Sequence, residues 1–305
     1  MSQDSASWER LIERFEEWAL SRPDIRAAVI VGSRARVDHA ADEWSDLDLL
    51  VIATDPERYL SSTDLIWDIG VPWLTFVEPT AVGDMKERRV LFEGGLDVDL
   101  TFLPYSMIQQ IVQDGVPPEL AHQGLDIFGR GVHVLVDKDG TAAQVFEMWK
   151  SASTSVGAPP YSPTKSEFVE VINDFLYHAV WTAKKLRRGE LWTAIGCCDN
   201  YMKWRLLLPM IEWHARATHG WEYDTWFKGR YLEEWADPRA LEALRDAFSQ
   251  YDYDYIRRAL FATMNLFRWL AMETAEKLGY PYPTEADKRV TEWLRSHLPI
   301  KSTKS

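Results

Sequence analysis

Ala27-Ala28-Val29-Ile30-Val31-Gly32-Ser33-Arg34-Ala35-Arg36, then a polar spacer, then Ser45-Asp46-Leu47-Asp48-Leu49-Leu50-Val51 are the stretches that decide the fold. The first is an apolar run that breaks into a Gly-Ser turn flanked by two arginines. The second reads as a strand with Asp46 and Asp48 on one face, because side chains at i and i+2 of a strand point the same way. Two carboxylates on a strand that is otherwise Leu and Val are costly unless something positive sits on them. A divalent metal is the usual reason.

Leu96-Asp97-Val98-Asp99-Leu100-Thr101-Phe102-Leu103 repeats the pattern, and Glu93-Gly94-Gly95 before it reads as a hairpin turn. If this strand lies beside the Asp46–Asp48 strand, three or four carboxylates converge. Hard oxygen ligands favour Mg2+, which keeps several waters and borrows oxygens from a substrate phosphate. Two such ions about 3.5–4 Å apart form a clamp for in-line displacement at phosphorus. The Gly32-Ser33 turn then offers backbone N–H groups and a hydroxyl to a triphosphate, since glycine lets the backbone approach an anion closely.

The 305 residues favour two domains over one, and a hydrophobic content of 46 % is enough for two cores. No stretch has the long uncharged apolar run of a membrane span, and the N-terminus lacks the basic and apolar regions of a signal peptide. Cys197 and Cys198, the two cysteines, are adjacent and lack metal spacing, which fits helix core filling in a reducing cytoplasm. The net charge of −13 argues against nucleic acid as partner, because a polynucleotide enzyme carries a basic face for phosphates. In a protein that handles a triphosphate such as ATP but no polynucleotide, such acidity fits a small cationic acceptor, for which an acid-lined cleft raises local concentration; acidity that merely keeps the protein soluble fits equally. The expected assembly is a monomer or homodimer.

Along the chain, Trp8–Leu20 reads as an amphipathic helix with Trp8, Leu11, Ile12, Phe15 and Trp18 on one stripe. Strands follow at Ile25–Val31, Leu47–Ala53, Trp73–Val77, Arg88–Phe92, Leu96–Leu103 and Val132–Val136. Helical stretches are expected over Pro56–Ile69, Ser106–Gln113 and Thr141–Lys150. Ser151 to Pro160 is small and proline-rich and reads as a linker. Beyond it the pattern is helical: Pro163–Arg188, Trp192–Ala217 with a bend near Pro209, Pro238–Phe248, Tyr253–Leu278 and Thr284–His297. The expected architecture is an α/β (α+β) catalytic domain with a mixed sheet over 1–150, followed by an α-helical bundle domain over 160–300. No Gly-x-Gly-x-x-Gly follows the first strand, which argues against a Rossmann domain.

The ordered set of hydrophobic strand, Gly-Ser, spacer, Asp-x-Asp and a third acid on a later strand resembles the nucleotidyltransferase superfamily of the DNA polymerase β type. The helical half narrows this. Asn173-Asp174-Phe175-Leu176-Tyr177, Ala183-Lys184-Lys185-Leu186-Arg187-Arg188-Gly189-Glu190, Leu207-Leu208-Pro209-Met210-Ile211-Glu212-Trp213 and Lys228-Gly229-Arg230-Tyr231-Leu232 are similar to the C-terminal domain of aminoglycoside 6-adenylyltransferases, also called streptomycin adenylyltransferases. The resemblance spans roughly Trp8 to Leu278. The chain departs from it at Leu176-Tyr177-His178, where family members carry Trp-rich text, and at Lys185, where they often have glycine.

The resemblance implies Mg2+-dependent transfer of an adenylyl group from ATP to an acceptor hydroxyl of an aminoglycoside, with release of pyrophosphate. Asp46 and Asp48 would bind metal bridging the ATP phosphates. Asp99 would be the third carboxylate, a metal ligand or the base toward the acceptor, and Asp97 a solvated hairpin acid. Gly32, Ser33 and Arg36 would hold the triphosphate, with Arg34 pointing to solvent. Lys184 and Arg230 would reach the phosphates from the helical domain. For a polycationic acceptor, Asp174, Trp181 and Asp199 are the candidates, through charge-assisted hydrogen bonds and cation–π contact. Rival readings keep the chemistry with another small-molecule or protein hydroxyl, or reduce the chain to a nucleotide-binding module.

Overall fold

A computed structural model describes residues 3–80, 85–117, 120, 128–156 and 162–299. The chain forms two compact units, Met1–Pro159 and Pro160–Ser305.

The first unit is built on a six-stranded sheet of order β3-β4-β5-β2-β1-β6. Its strands are β1 (Ile25–Val31), β2 (Leu47–Ala53), β3 (Pro72–Pro79), β4 (Lys86–Phe92), β5 (Leu96–Pro104) and β6 (His133–Asp137). β2 and β5 run parallel, and the other pairs are antiparallel, so the sheet is mixed. β1 and β2 are central and buried along nearly their whole length, which is why both read as continuous apolar runs. Helices pack on both faces of the sheet. Helices α1 (Gln3–Leu20) and α2 (Pro56–Ser61) pack Trp8, Phe15, Trp18 and Tyr59 against Leu47, Leu49, Val51, Leu100 and Phe102. On the other face α3 (Tyr105–Asp114) and α4 (Thr141–Val156) cover Val29, Val31, Leu50 and Ile52 with Ile108, Ile111, Val145 and Trp149. By strand alternation Asp48 lies on this second face, in line with Leu50 and Ile52.

Three expectations need correction here. The helix expected over Pro56–Ile69 ends at Ser61, because Ser62 is extended (φ −114°, ψ 145°), and only a short turn, Asp64–Ile66, follows. The stretch expected as a linker from Ser151 begins as helix: α4 runs on to Val156, with the Ser151 hydroxyl donating back to the Glu147 carbonyl. Small residues permit helix as readily as coil, and the packed face of α4 decides for helix. Residues 157–161, including Pro159 and Pro160, lie outside the described residues.

The second unit is all helical: α5 (Lys165–Arg187), α6 (Leu191–Ile195), α7 (Leu208–His219), α8 (Leu232–Trp235), α9 (Pro238–Ala247), α10 (Tyr253–Leu278) and α11 (Thr284–His297). α5 starts on a full capping box, in which Thr164 and Glu167 satisfy each other's backbone N–H groups. α10 is the central helix, and its Phe267 stacks on Phe175 of α5 with ring centroids 3.7 Å apart. The third correction falls here. Between α6 and α7 the chain is π-helical over Gly196–Leu207, and that irregularity takes the place of the bend expected near Pro209. The wide turns close before the proline, so Pro209 stands in the first turn of α7, where a missing N–H leaves no intrahelical bond unmade. Cys197 and Cys198 are free thiols buried in this core.

Candidate active site

The parallel pairing of β2 with β5 places Asp48 directly beside Asp99. One strand further, Val31 of β1 pairs with Asp48, so the Gly32 turn begins at the same level of the sheet. Asp46 precedes β2 by one residue. Oxygens of Asp46, Asp48 and Asp99 come within 4.8 Å of one another, making one acidic cluster from two non-contiguous segments. Asp97 lies two residues before Asp99, half-buried, and burial raises its pKa. It is therefore a second-rank member of the cluster's surroundings, more enclosed than the solvated hairpin acid expected.

The Gly32–Arg34 turn wraps over this cluster. Gly32 has φ +68°, and a Cβ there would fall 2.1 Å from Asp48 Oδ2. Glycine is thus required twice, for the left-handed backbone and for the close approach of the carboxylate. The Ser33 hydroxyl is buried and makes no hydrogen bond among the described residues. Arg34 corrects an expectation. It does not point to solvent: its Nε and Nη2 donate to the carbonyls of Asp46 and Ser45 at 2.9 and 2.7 Å, and its guanidinium stacks 3.9 Å above the Trp8 ring. It clamps the loop that delivers Asp46. Arg36 donates from Nε to the His39 carbonyl at 2.9 Å.

Sequence reading missed Arg89. β4 and β5 form the predicted hairpin, and its register sets Arg89 opposite Asp99. Nη2 of Arg89 donates to Asp99 Oδ2 at 2.7 Å, and its Nε lies 2.7 Å from Glu78 and 3.5 Å from Glu87. The signal was available: counting back from the Glu93-Gly94-Gly95 turn pairs residue 89 with residue 99. The other arginine of the pair, Arg88, points to the opposite face and is spent on the carbonyls of Tyr59 and Leu60.

Asp99 is buried, and its Oδ1 has no partner among the described residues. Burial raises its pKa to about 7; Arg89 pulls it down, while Asp48, Glu87 and Asp97 push it further up. The sign follows directly. A carboxyl whose folded pKa exceeds its unfolded value holds its proton longer in the folded state, so its stabilising contribution is complete below about 4 and is lost as pH rises through about 7. The metal-free protein should lose thermal stability over that window, and Asp99→Asn should flatten the loss. A wild-type melting curve without this component would remove the assignment.

The residues present fit a divalent cation. The donor set is all carboxylate oxygen, one ligand atom is buried without a partner, and a glycine turn leaves room beside it.

The remaining candidates lie in the helical unit. Lys184 is exposed, with Nζ 6.0 Å from the Trp293 ring. Arg230 is exposed in a segment where Trp226, Lys228, Gly229 and Tyr231 all have positive φ. Such strain in non-glycine residues persists only where surrounding structure enforces it. Asp174 accepts from the Tyr201 hydroxyl at 2.8 Å and lies 2.5 Å from His178 Nδ1. Trp181 lies 6.3 Å from the His178 ring, with Lys185 Nζ 5.1 Å above it. Asp174 and Trp181 therefore share one aromatic and acidic cluster. Asp199 does not join it: its carboxylate takes Lys203 on Oδ1 and the Ser249 amide and hydroxyl on Oδ2. Those bonds tie the π-helical segment to the start of the α9–α10 connection.

A family model described as streptomycin adenylyltransferase matches residues 6–297. The aminoglycoside 6-adenylyltransferase of Bacillus subtilis (strain 168) is 24 % identical over 293 residues, covering 94 % of this chain and 96 % of its own. That of Campylobacter jejuni is 23 % identical over 270 residues, covering 87 % and 86 %. A solved aminoglycoside 6-adenyltransferase from Bacillus subtilis aligns over 94 % of this chain and 96 % of its own at 20 % identity, with a TM-score of 0.41. The family model alone spans nearly the whole chain, both the unit with the carboxylate cluster and the helical unit, and by that match the chain belongs to the streptomycin adenylyltransferase family of nucleotidyltransferase enzymes.

Proposed function

We propose that the protein transfers an adenylyl group from ATP to a hydroxyl of a streptomycin-like aminoglycoside, releasing pyrophosphate and inactivating the drug. The observation that carries this is the convergence of Asp46, Asp48 and Asp99 within 4.8 Å beneath the Gly32 turn. The names of the relatives support the acceptor class.

Asp46, Asp48 and Asp99 would hold Mg2+, which when bound supplies positive charge to the triphosphate and lowers the pKa of the attacking hydroxyl. The chain's own residues do the rest by placement and fixed charge. The N–H groups and hydroxyl of Gly32 and Ser33 receive phosphate oxygens, and Arg36 adds charge at the end of the turn. Arg34 holds the Asp46 backbone at the right level. Asp99 would either complete the carboxylate set of the metal or take the proton of the acceptor hydroxyl as that oxygen attacks the α-phosphorus and pyrophosphate leaves. Asp174 and Trp181 offer a carboxylate and a π-face to a polycation, whereas Asp199 is already engaged. Buried free thiols at Cys197 and Cys198 suit a reducing cytoplasm.

The test is incubation of the protein with ATP, Mg2+ and an aminoglycoside panel beginning with streptomycin. Pyrophosphate release and a drug product heavier by one adenylyl group are expected. Release with a different hydroxylated acceptor only would keep the chemistry and discard the drug; no release with any acceptor would discard both.

A further inference from the structure

The acid cluster contains a cation that the site would be expected to avoid. Arg89 stands at the same level of the sheet as Asp48 and Asp99 and bonds directly to one of the three clustered carboxylates. A positive charge so close to a metal position opposes metal binding by direct repulsion. Its presence needs a compensating role.

We infer that Arg89 is a positioning residue for Asp99, gripping Oδ2 so that Oδ1 faces the cluster; this rests on the metal-dependent reading above. The geometry is specific. Only Oδ2 of Asp99 is bonded to Arg89, while Oδ1 is buried and unpartnered. One carboxylate oxygen is thereby fixed and the other left for a ligand. Arg89 is itself braced, with Nε held by Glu78 on β3 and approached by Glu87 of its own strand. A planar guanidinium can bridge two carboxylates in fixed directions, which an ammonium on a flexible stem cannot. The chain Glu78–Arg89–Asp99 therefore runs from the sheet edge to the cluster and supports a ligand through its outer oxygen.

The two roles of the charge predict opposite signs, which makes the inference decidable. Simple repulsion means that removing Arg89 tightens cation binding. Positioning means that removal weakens it. The probe is Mn2+ alone, without nucleotide, titrated into the full chain and followed by the electron paramagnetic resonance of free Mn2+. Arg89→Gln should weaken Mn2+ binding by about 10-fold or more, in the range found for outer-shell supports of metal ligands. Arg89→Lys should recover only part of the loss. Glu78→Gln, at a partly exposed edge position, should keep the fold and weaken Mn2+ in the same direction by less. Tighter or unchanged Mn2+ binding by folded Arg89→Gln would overturn the inference, as would lowered thermal stability with unchanged Mn2+ affinity. Should Arg89→Gln fail to fold, unchanged binding by Glu78→Gln overturns it. A wild-type protein that binds no Mn2+ would overturn the metal reading itself, and this inference with it.

Discussion

Asp48→Asn should abolish adenylyl transfer, by about 10³-fold or more, while the protein remains folded. Asp48 is the centre of the cluster: it pairs with Asp99 across β2–β5 and lies against Gly32. Asparagine keeps the shape and removes the negative charge, so the sheet pairing survives and the cation loses an anionic ligand. Preorganised electrostatic contacts of this kind, removed singly, cost about 10²–10³-fold in turnover, and loss of a metal ligand removes more than one such contact. The measurement is product formation by mass, beside circular dichroism and a melting curve. Near wild-type transfer by a folded Asp48→Asn protein would remove the metal assignment.

Gly32→Val should be almost as damaging, by a different route. The backbone at 32 is left-handed (φ +68°), which costs a residue with a Cβ about 1–2 kcal/mol. The added carbon would also meet Asp48 Oδ2 at 2.1 Å and Cγ at 3.0 Å. The carboxylate must swing away, and the turn that receives phosphate must shift with it. Displacements near 1 Å in such sites cost about 10²-fold in rate, so loss of activity should accompany a modest loss of stability. Gly95→Ala is the control: its φ is +75°, yet nothing lies within 4 Å of the position a Cβ would take. It should pay the backbone strain and retain activity. Equal loss of activity in both variants would show that strain alone is responsible, and not the contact with Asp48.

Both variants concern residues that the local sequence singles out. The alternation around Asp46 and Asp48, the glycine after an apolar run, and the acids of Leu96–Leu103 are features of period and residue type, and period decides which face a side chain takes. The same holds for the helices from Lys165 onward, whose apolar stripes mark the buried face. Strands β1 and β2 begin and end where their residues change character.

Local pattern is thus enough to single out the three acids that cluster, the glycine turn beside them and the change from strand to helix along the chain. The partners of these groups are set by packing between distant segments. The parallel pairing of β2 with β5 joins segments about 50 residues apart in the chain, and local pattern carries no information about which strand a strand will meet. The anchors of Arg34, the Trp8 ring and the Ser45 and Asp46 carbonyls, come from elsewhere in the chain, so nothing in its local pattern marks it as held. An arginine in a strand has no marked meaning until the register sets it against an acid, as it sets Arg89 against Asp99. Asp199 is bonded through both oxygens to Lys203 and Ser249, one of them 50 residues away, a pairing that local pattern does not carry. Charge becomes chemistry only through neighbours, and neighbours distant in sequence are set by packing rather than by local pattern.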